Sequence, residues 1–204
     1  MSGRRGPWDR RFSERVWSAE PDPLLVELTK ELAHGTAIDL GCGPGRNAIW
    51  LASHAFEVTG VDSSTVGLKQ AAERAAAAGV RLSLVVADLL EYQVARGAFD
   101  LAVVANLHPG SKALGPILAG AAEGLRLGGH LFVIGHHRDD LGKHGPPDPE
   151  LLYTEDLLRH VTPVGLQVER LERVERLHSD GSEVPDSAVL LWASRAQSPS
   201  QESR

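Results

Sequence analysis

Three glycines at alternate positions, Gly41, Gly43 and Gly45, follow a short apolar run in AIDLGCGPGRNAIWLA, residues 37–52. Glycine lets the chain turn tightly at a strand end and lets a ligand touch the main chain. A helix behind such a turn aims its unpaired N–H groups at that ligand. This much suits any nucleotide-type cofactor. The neighbours narrow it. A phosphate loop needs Lys and Ser/Thr after the last glycine, where Arg46 and Asn47 stand. A dinucleotide fingerprint needs glycine or alanine at position 46, and Arg46 breaks it. Asp62 lies seventeen residues after Gly45, at the tip of the next predicted strand. A carboxylate there can accept both hydroxyls of a ribose. Asp88 ends a third predicted strand, where it could reach an adenine amino group. Taken singly, Asp39 or Asp62 could equally cap the helix behind it.

Three histidines could act on a substrate. His108, just past a fourth strand, is the candidate general base, because imidazole titrates near neutrality. The ordinary alternative is a loop histidine bonded to backbone. His136 and His137 follow a fifth strand on the same sheet edge and are candidate substrate-pocket residues. The HHRDD run at 136–140 has metal-like composition. Adjacent strand residues face opposite ways, so joint ligation by the two histidines is not expected, and no metal site is predicted.

The elements that position these groups follow from the apolar pattern. WDRRFSERVW places Trp8, Phe12 and Trp17 at roughly helical spacing. Asp22 with Pro23 is a good helix start, and the stripe Leu24, Leu25, Leu28, Leu32 with Gly35 predicts a helix over about 23–34. Strands are expected at 36–40, 56–62, 80–88, about 99–105 and 128–137, with Ser111 capping the helix before the fifth. Helices separate them, and near-continuous Val/Ile/Leu runs mark a parallel sheet covered on both faces. Right-handed crossovers make it doubly wound. Its switch point gathers Asp39, Asp62 and Asp88 along one edge. A polar Gly/Pro loop at 138–150 and a short helix at 154–161, capped by Thr154, come next. Two strands at 165–177 and 187–195, joined by HSDGSEVPD at 178–186, have too short a connection for a crossover and predict an antiparallel hairpin. The predicted organisation is an N-terminal basic and aromatic segment at 1–22, a candidate lid; one domain at 23–196; and a disordered tail at 197–204.

Composition agrees with one domain: 204 residues, 42% hydrophobic and 24% charged. No apolar run is long enough to span a bilayer, and no secretory leader is evident. Cys42 is the single cysteine, which excludes an intrachain disulfide. A cytoplasmic location is expected. The net charge of −6 argues against a general nucleic-acid binder, although Arg4, Arg5, Arg10, Arg11 and Arg15 crowd the first fifteen residues.

AIDLGCGPGRN, VTGVDSS, VVADLLE, FDLAVVANLH and LRLGGHLFVIG resemble the successive motifs of class I S-adenosylmethionine-dependent methyltransferases, over residues 8 to 195. GCGPGRNAIWLA with the upstream WDRRF and VWSAEP is similar to the small single-domain tellurite-resistance and thiopurine type. The resemblance implies an α/β fold with a mostly parallel, seven-stranded, Rossmann-like sheet closed by the hairpin. It implies S-adenosyl-L-methionine as cofactor and S-adenosyl-L-homocysteine as product. By the resemblance, Gly41, Cys42, Gly43 and Gly45 meet the methionine part and Asp39 steers its ammonium. Arg46 and Asn47 stand where the next helix opens, Asn47 near the carboxylate. Asp62 holds the ribose with Ser63 beside the adenine, Asp88 and the Leu89 N–H read the adenine edge, and Asn106 lies under the sulfonium. Trp17 is the N-terminal residue most expected at the cofactor, with Trp8 and Phe12 beside the substrate. The expected partner is a small-molecule methyl acceptor, in a monomer or homodimer, with neither membrane nor nucleic acid.

Overall fold

The computed structural model describes residues 6–176 and 185–196. Five strands and three helices run β1 (Thr36–Leu40), α3 (Arg46–Ser53), β2 (Glu57–Asp62), α4 (Thr65–Ala77), β3 (Ser83–Val86), β4 (Phe99–Ala105), α5 (Ser111–Gly124) and β5 (Leu125–His136); the expected strand–helix alternation is broken between β3 and β4, which turns alone connect. Two helices precede them, α1 (Pro7–Glu14) and α2 (Pro23–Thr29), and α6 (Glu155–Val161), β6 (Leu166–Arg176) and β7 (Asp186–Arg195) follow. The seven strands lie in the order β3-β2-β1-β4-β5-β7-β6. β1 to β5 are parallel, and β7 runs antiparallel between β5 and β6. The chain turns from building outward on one side of β1 to the other between β1 and β4. That is the crevice where open α/β sheets take ligands.

Alternation along the strands sorts two apolar cores. Ile38 and Leu40 face Leu114, Leu118 and Ala121 of α5 and Leu158 of α6. Ala37, Leu101 and Phe132 face Leu25 of α2 and Ala48 and Leu51 of α3. With both faces covered, the central strands read as apolar throughout.

Several expected boundaries move. α2 stops at Thr29 rather than near 34: the Thr29 hydroxyl bonds back to the Leu25 carbonyl at 2.6 Å, and the chain leaves the helix as a turn. Strand three covers only 83–86, because β2 offers partners only from Thr59↔Ser83 onward. Asp88 therefore lies past the strand and opens a turn, accepting from the Leu90 N–H at 2.9 Å. Ser111 is the first residue of α5; Gly110, at φ 85°, takes the cap position without a side-chain bond. β5 starts at Leu125, directly from α5. Asp22 and Thr154 cap α2 and α6 as expected. Leu177, most of the 178–186 connection, Arg4, Arg5 and the 197–204 tail lie outside the described residues. Among the described residues no helix is long and apolar enough to cross a membrane.

Candidate functional site

The glycine turn leaves β1 with three glycines the conformation demands, Gly41 among them at φ 81°. Gly43 sits at φ 50° and Gly45 at φ 83°, in the left-handed region. A Cβ on Gly43 would also press the Phe12 ring at 3.0 Å, and one on Gly45 the Ala71 methyl at 2.9 Å. The close approach the sequence signalled thus comes in part from the protein itself. Phe12 of α1 is buried over the turn, between Gly43 and Gly67. Trp8 stacks on Phe12 at 5.6 Å between centroids, and Trp17, just past α1, meets it edge-on at 5.2 Å. Asp9 of α1 accepts from the Ser64 hydroxyl at 2.5 Å, and Arg74 of α4 donates to the Trp17 carbonyl at 3.0 Å. Residues 7–17 are therefore docked on α4 and the glycine turn.

Asp62 is buried at the tip of β2. Its Oδ2 accepts from the Gly43 N–H and its Oδ1 from the Ser64 N–H, each at 2.8 Å. Burial raises its carboxyl above the usual range, against the lowering effect of these N–H bonds. Ser63 beside it is exposed. Asp39, at 2% exposure, is pushed up to about 7, chiefly by burial, while the charge of Arg46 pulls it down. Burial raises the Cys42 thiol further, so it stays protonated and packs as an apolar group. Arg46 opens α3 and makes no hydrogen bond among the described residues, although Asp22 and Asp39 act on its charge. Asn47 accepts from the Asp22 N–H at 2.9 Å, which ties α3 to α2.

Asn106, past β4, adopts φ 53°, which asparagine tolerates better than most residues. Its Oδ1 accepts from Arg176 at 3.3 Å. Arg176, ending β6, also holds Asp22 at 2.6 Å and Asp186, which opens β7, at 2.5 Å. His136 donates from Nδ1 to Asp186 Oδ1 at 3.0 Å. Asp140 shares a hydrogen bond with Asp186 and accepts from the Ser187 N–H at 3.0 Å. Asp186 stays ionised: burial pushes its carboxyl up, but bonds from His136 and Asp140 and the charge of Arg176 hold it well below the usual range.

His108 stacks on His136 at 5.4 Å between ring centroids. It donates from Nδ1 to the Leu151 carbonyl at 2.8 Å, and its Nε2 faces the His136 N–H at 3.4 Å. Burial first, then the charge of His136, lowers His108 to about 4. It is a neutral imidazole with both nitrogens engaged. His137 turns the other way, to Glu155 at 3.2 Å and the Asp139 N–H at 3.0 Å.

The expected residues fall into a contiguous group and an outlying pair. Gly41, Cys42, Gly43, Gly45, Arg46, Asn47, Asp39, Asp62 and Asn106 stand at the carboxyl ends of β1, β2 and β4, with Phe12, His108 and His136 around them. Asp88 and Leu89 lie beyond β3, and Asp88 is exposed. Sequence reading missed Arg176 and Asp186 and set Asp140 aside with the HHRDD run. The one local signal of Arg176 and Asp186 was charge at strand ends, and their partners are far off in sequence.

Residues 37–129 match the family model described as a methyltransferase domain. A 69-residue stretch is 35% identical to ribosomal RNA small subunit methyltransferase C of Alcanivorax borkumensis. That match takes in 34% of this chain and 21% of the relative, so the chain spans about a fifth of that protein's length. A solved structure described as "Conversion of a Disulfide Bond into a Thioacetal Group during Echinomycin Biosynthesis" superposes at TM-score 0.74 with 25% identity, over 97% of this chain and 87% of the other. N-methyltransferase NodS of Bradyrhizobium japonicum WM9, in complex with S-adenosyl-L-homocysteine, superposes at 0.71 with 17% identity, over 93% and 97%. TehB of Haemophilus influenzae superposes at 0.70 with 18% identity, over 93% and 67%. Residues 37–129 thus match a methyltransferase domain, and the whole chain shares the sheet order and glycine turn of a Rossmann-like methyltransferase fold.

Proposed function

We propose that this chain moves the methyl group of S-adenosylmethionine to a small-molecule acceptor. The observation that carries the reading is the pair of opposite charges beside the glycine turn that form no ion pair with each other: buried Asp39, which accepts from the Ala48 backbone and is pushed up to about 7, and Arg46, without a hydrogen bond among the described residues. An amino-acid ligand offers each what it lacks, an ammonium for Asp39 and a carboxylate for Arg46. Asp62 is placed to exchange its bonds to Gly43 and Ser64 for ribose hydroxyls. Ser63 and the turn at Asp88 and Leu89 border the adenine end. Asn106, its side chain held by Arg176, borders the methyl end. Trp8, Phe12 and Trp17 cover the cleft and exclude water.

The cofactor supplies an already activated methyl on sulfur, so the protein mainly aligns the acceptor for in-line displacement. His108, neutral and held from both sides, positions His136 and shapes the acceptor wall. His136 presents the imidazole whose Nε2 has no hydrogen bond among the described residues.

Isothermal calorimetry with S-adenosylhomocysteine tests the reading. Micromolar binding is expected, weakened about tenfold or more by Asp62→Ala, in keeping with about 1.4 kcal/mol per tenfold. No detectable binding by the native chain would refute it. A macromolecular acceptor is the second reading, favoured by the stretch shared with the ribosomal RNA methyltransferase. Labelled methyl transfer in lysate, split into small and macromolecular fractions, separates the two.

A further inference from the structure

His136, Asp140 and Asp186 each offer a ligand atom, and those atoms all lie within 4.8 Å of one another. We propose that they form a divalent-cation site at the acceptor side of the cleft, taking Mn2+ or Zn2+ and presenting it to an acceptor that binds through oxygen.

The three come from three parts of the fold: the end of β5, the short turn behind it and the start of β7. The His136 Nδ1 to Asp186 Oδ1 separation is 3.0 Å. Neighbouring ligands on an ion with bonds of about 2.1 Å stand about 3 Å apart, so an ion can replace the shared proton with little movement. Asp140 and Asp186 are 1% and 0% exposed, unlike the solvated acid clusters common on surfaces. The charge balance favours a cation. Asp22 and Asp186 share one guanidinium, that of Arg176, and Asp140, hydrogen-bonded to Asp186, adds a second carboxyl group whose proton a cation would displace. Arg176 bonds the far oxygen of Asp186, Oδ2, and leaves Oδ1 toward His136, so the two cations would sit on opposite edges of one carboxylate. One imidazole and two carboxylates suit a first-row divalent ion of intermediate hardness.

The location bears on the acceptor. The Arg176 Nη2 that holds Asp186 also reaches Asn106 Oδ1, so the cluster lies one guanidinium away from the methyl end. Gly145, in the loop after β5, closes over the His136 ring: a Cβ there would meet the ring at 2.7 Å. This placement rests on the methyltransferase reading above; the cation site itself does not.

The full chain, stripped with EDTA, is titrated calorimetrically with MnCl2 and separately with ZnCl2. One site of micromolar affinity is expected for at least one ion. Asp140→Asn, which keeps an acceptor for the Ser187 N–H, and His136→Asn should each weaken it about tenfold or more. Both variants should bind S-adenosylhomocysteine like the native chain, which reports that they fold. Absence of binding at millimolar ion overturns the proposal, and so does binding that survives both substitutions. Failure of S-adenosylhomocysteine to bind the native chain would instead strike the methyltransferase reading and leave the cation result standing.

Discussion

A carboxylate at the end of a buried strand is stable only if something stands in for water. Asp39 has Arg46 nearby but no ion pair, and burial pushes its carboxyl up to about 7. Starting from 3.8 in the unfolded chain, the folded protein holds this proton more tightly. Its contribution to stability is therefore complete below about pH 4 and is lost as pH rises to 7. The whole effect is on the order of 4 kcal/mol. Urea denaturation across this range should show the native chain losing stability relative to Asp39→Asn as pH rises. A constant difference between the two proteins would mean that Asp39 titrates normally. The same residue should make cofactor binding proton-linked, since an arriving ammonium favours the carboxylate. The protein thus keeps an energetic cost in its free state that ligand binding relieves.

The helices and strands divide by how local their causes are. The β–α rhythm, the glycine turn and the closing hairpin were legible because each rests on residues close together in sequence. The α1 cover was half legible: the spacing of Trp8, Phe12 and Trp17 predicted a helix, but nothing local said that Phe12 would plug the gap between Gly43 and Gly67. α1 is a single short helix, held by that ring, the Asp9 bond to Ser64 and the Gln70 bond to the Phe12 carbonyl. Such a piece opens at lower free energy than the sheet beneath it. Phe12→Ala should speed amide exchange across 7–14 while leaving the exchange of β1 and β4 amides unchanged, and should weaken S-adenosylhomocysteine about tenfold. Uniformly faster exchange through the sheet would make Phe12 a core residue of the whole domain instead of the anchor of a cover.

At the scale of the molecule the least legible feature is the one that joins its ends. Arg176 and Asp22 are 154 residues apart in sequence, and His136 and Asp186 are 50 apart. No periodicity announces a charged side chain that turns inward at a strand end, so β6 reads as an exposed strand throughout. In the fold, Arg176 binds α2 through Asp22, β7 through Asp186 and the β4 tip through Asn106. Its side chain is 5% exposed, against 1% for Asp22 and 0% for Asp186. Removing one member of such a group strands the others without water, at a cost of about 3–5 kcal/mol. Arg176→Met should lower stability by that amount in urea denaturation. Arg159→Ala, which breaks an exposed pair with Asp156, should change it by less than about 1 kcal/mol. Asp186→Asn added to Arg176→Met should recover part of the loss, because the stranded charge is gone. If the double variant is weaker than the single by the full cost of a second deletion, the arginine acts by packing alone, and the network does not bind the two halves of the sheet electrostatically.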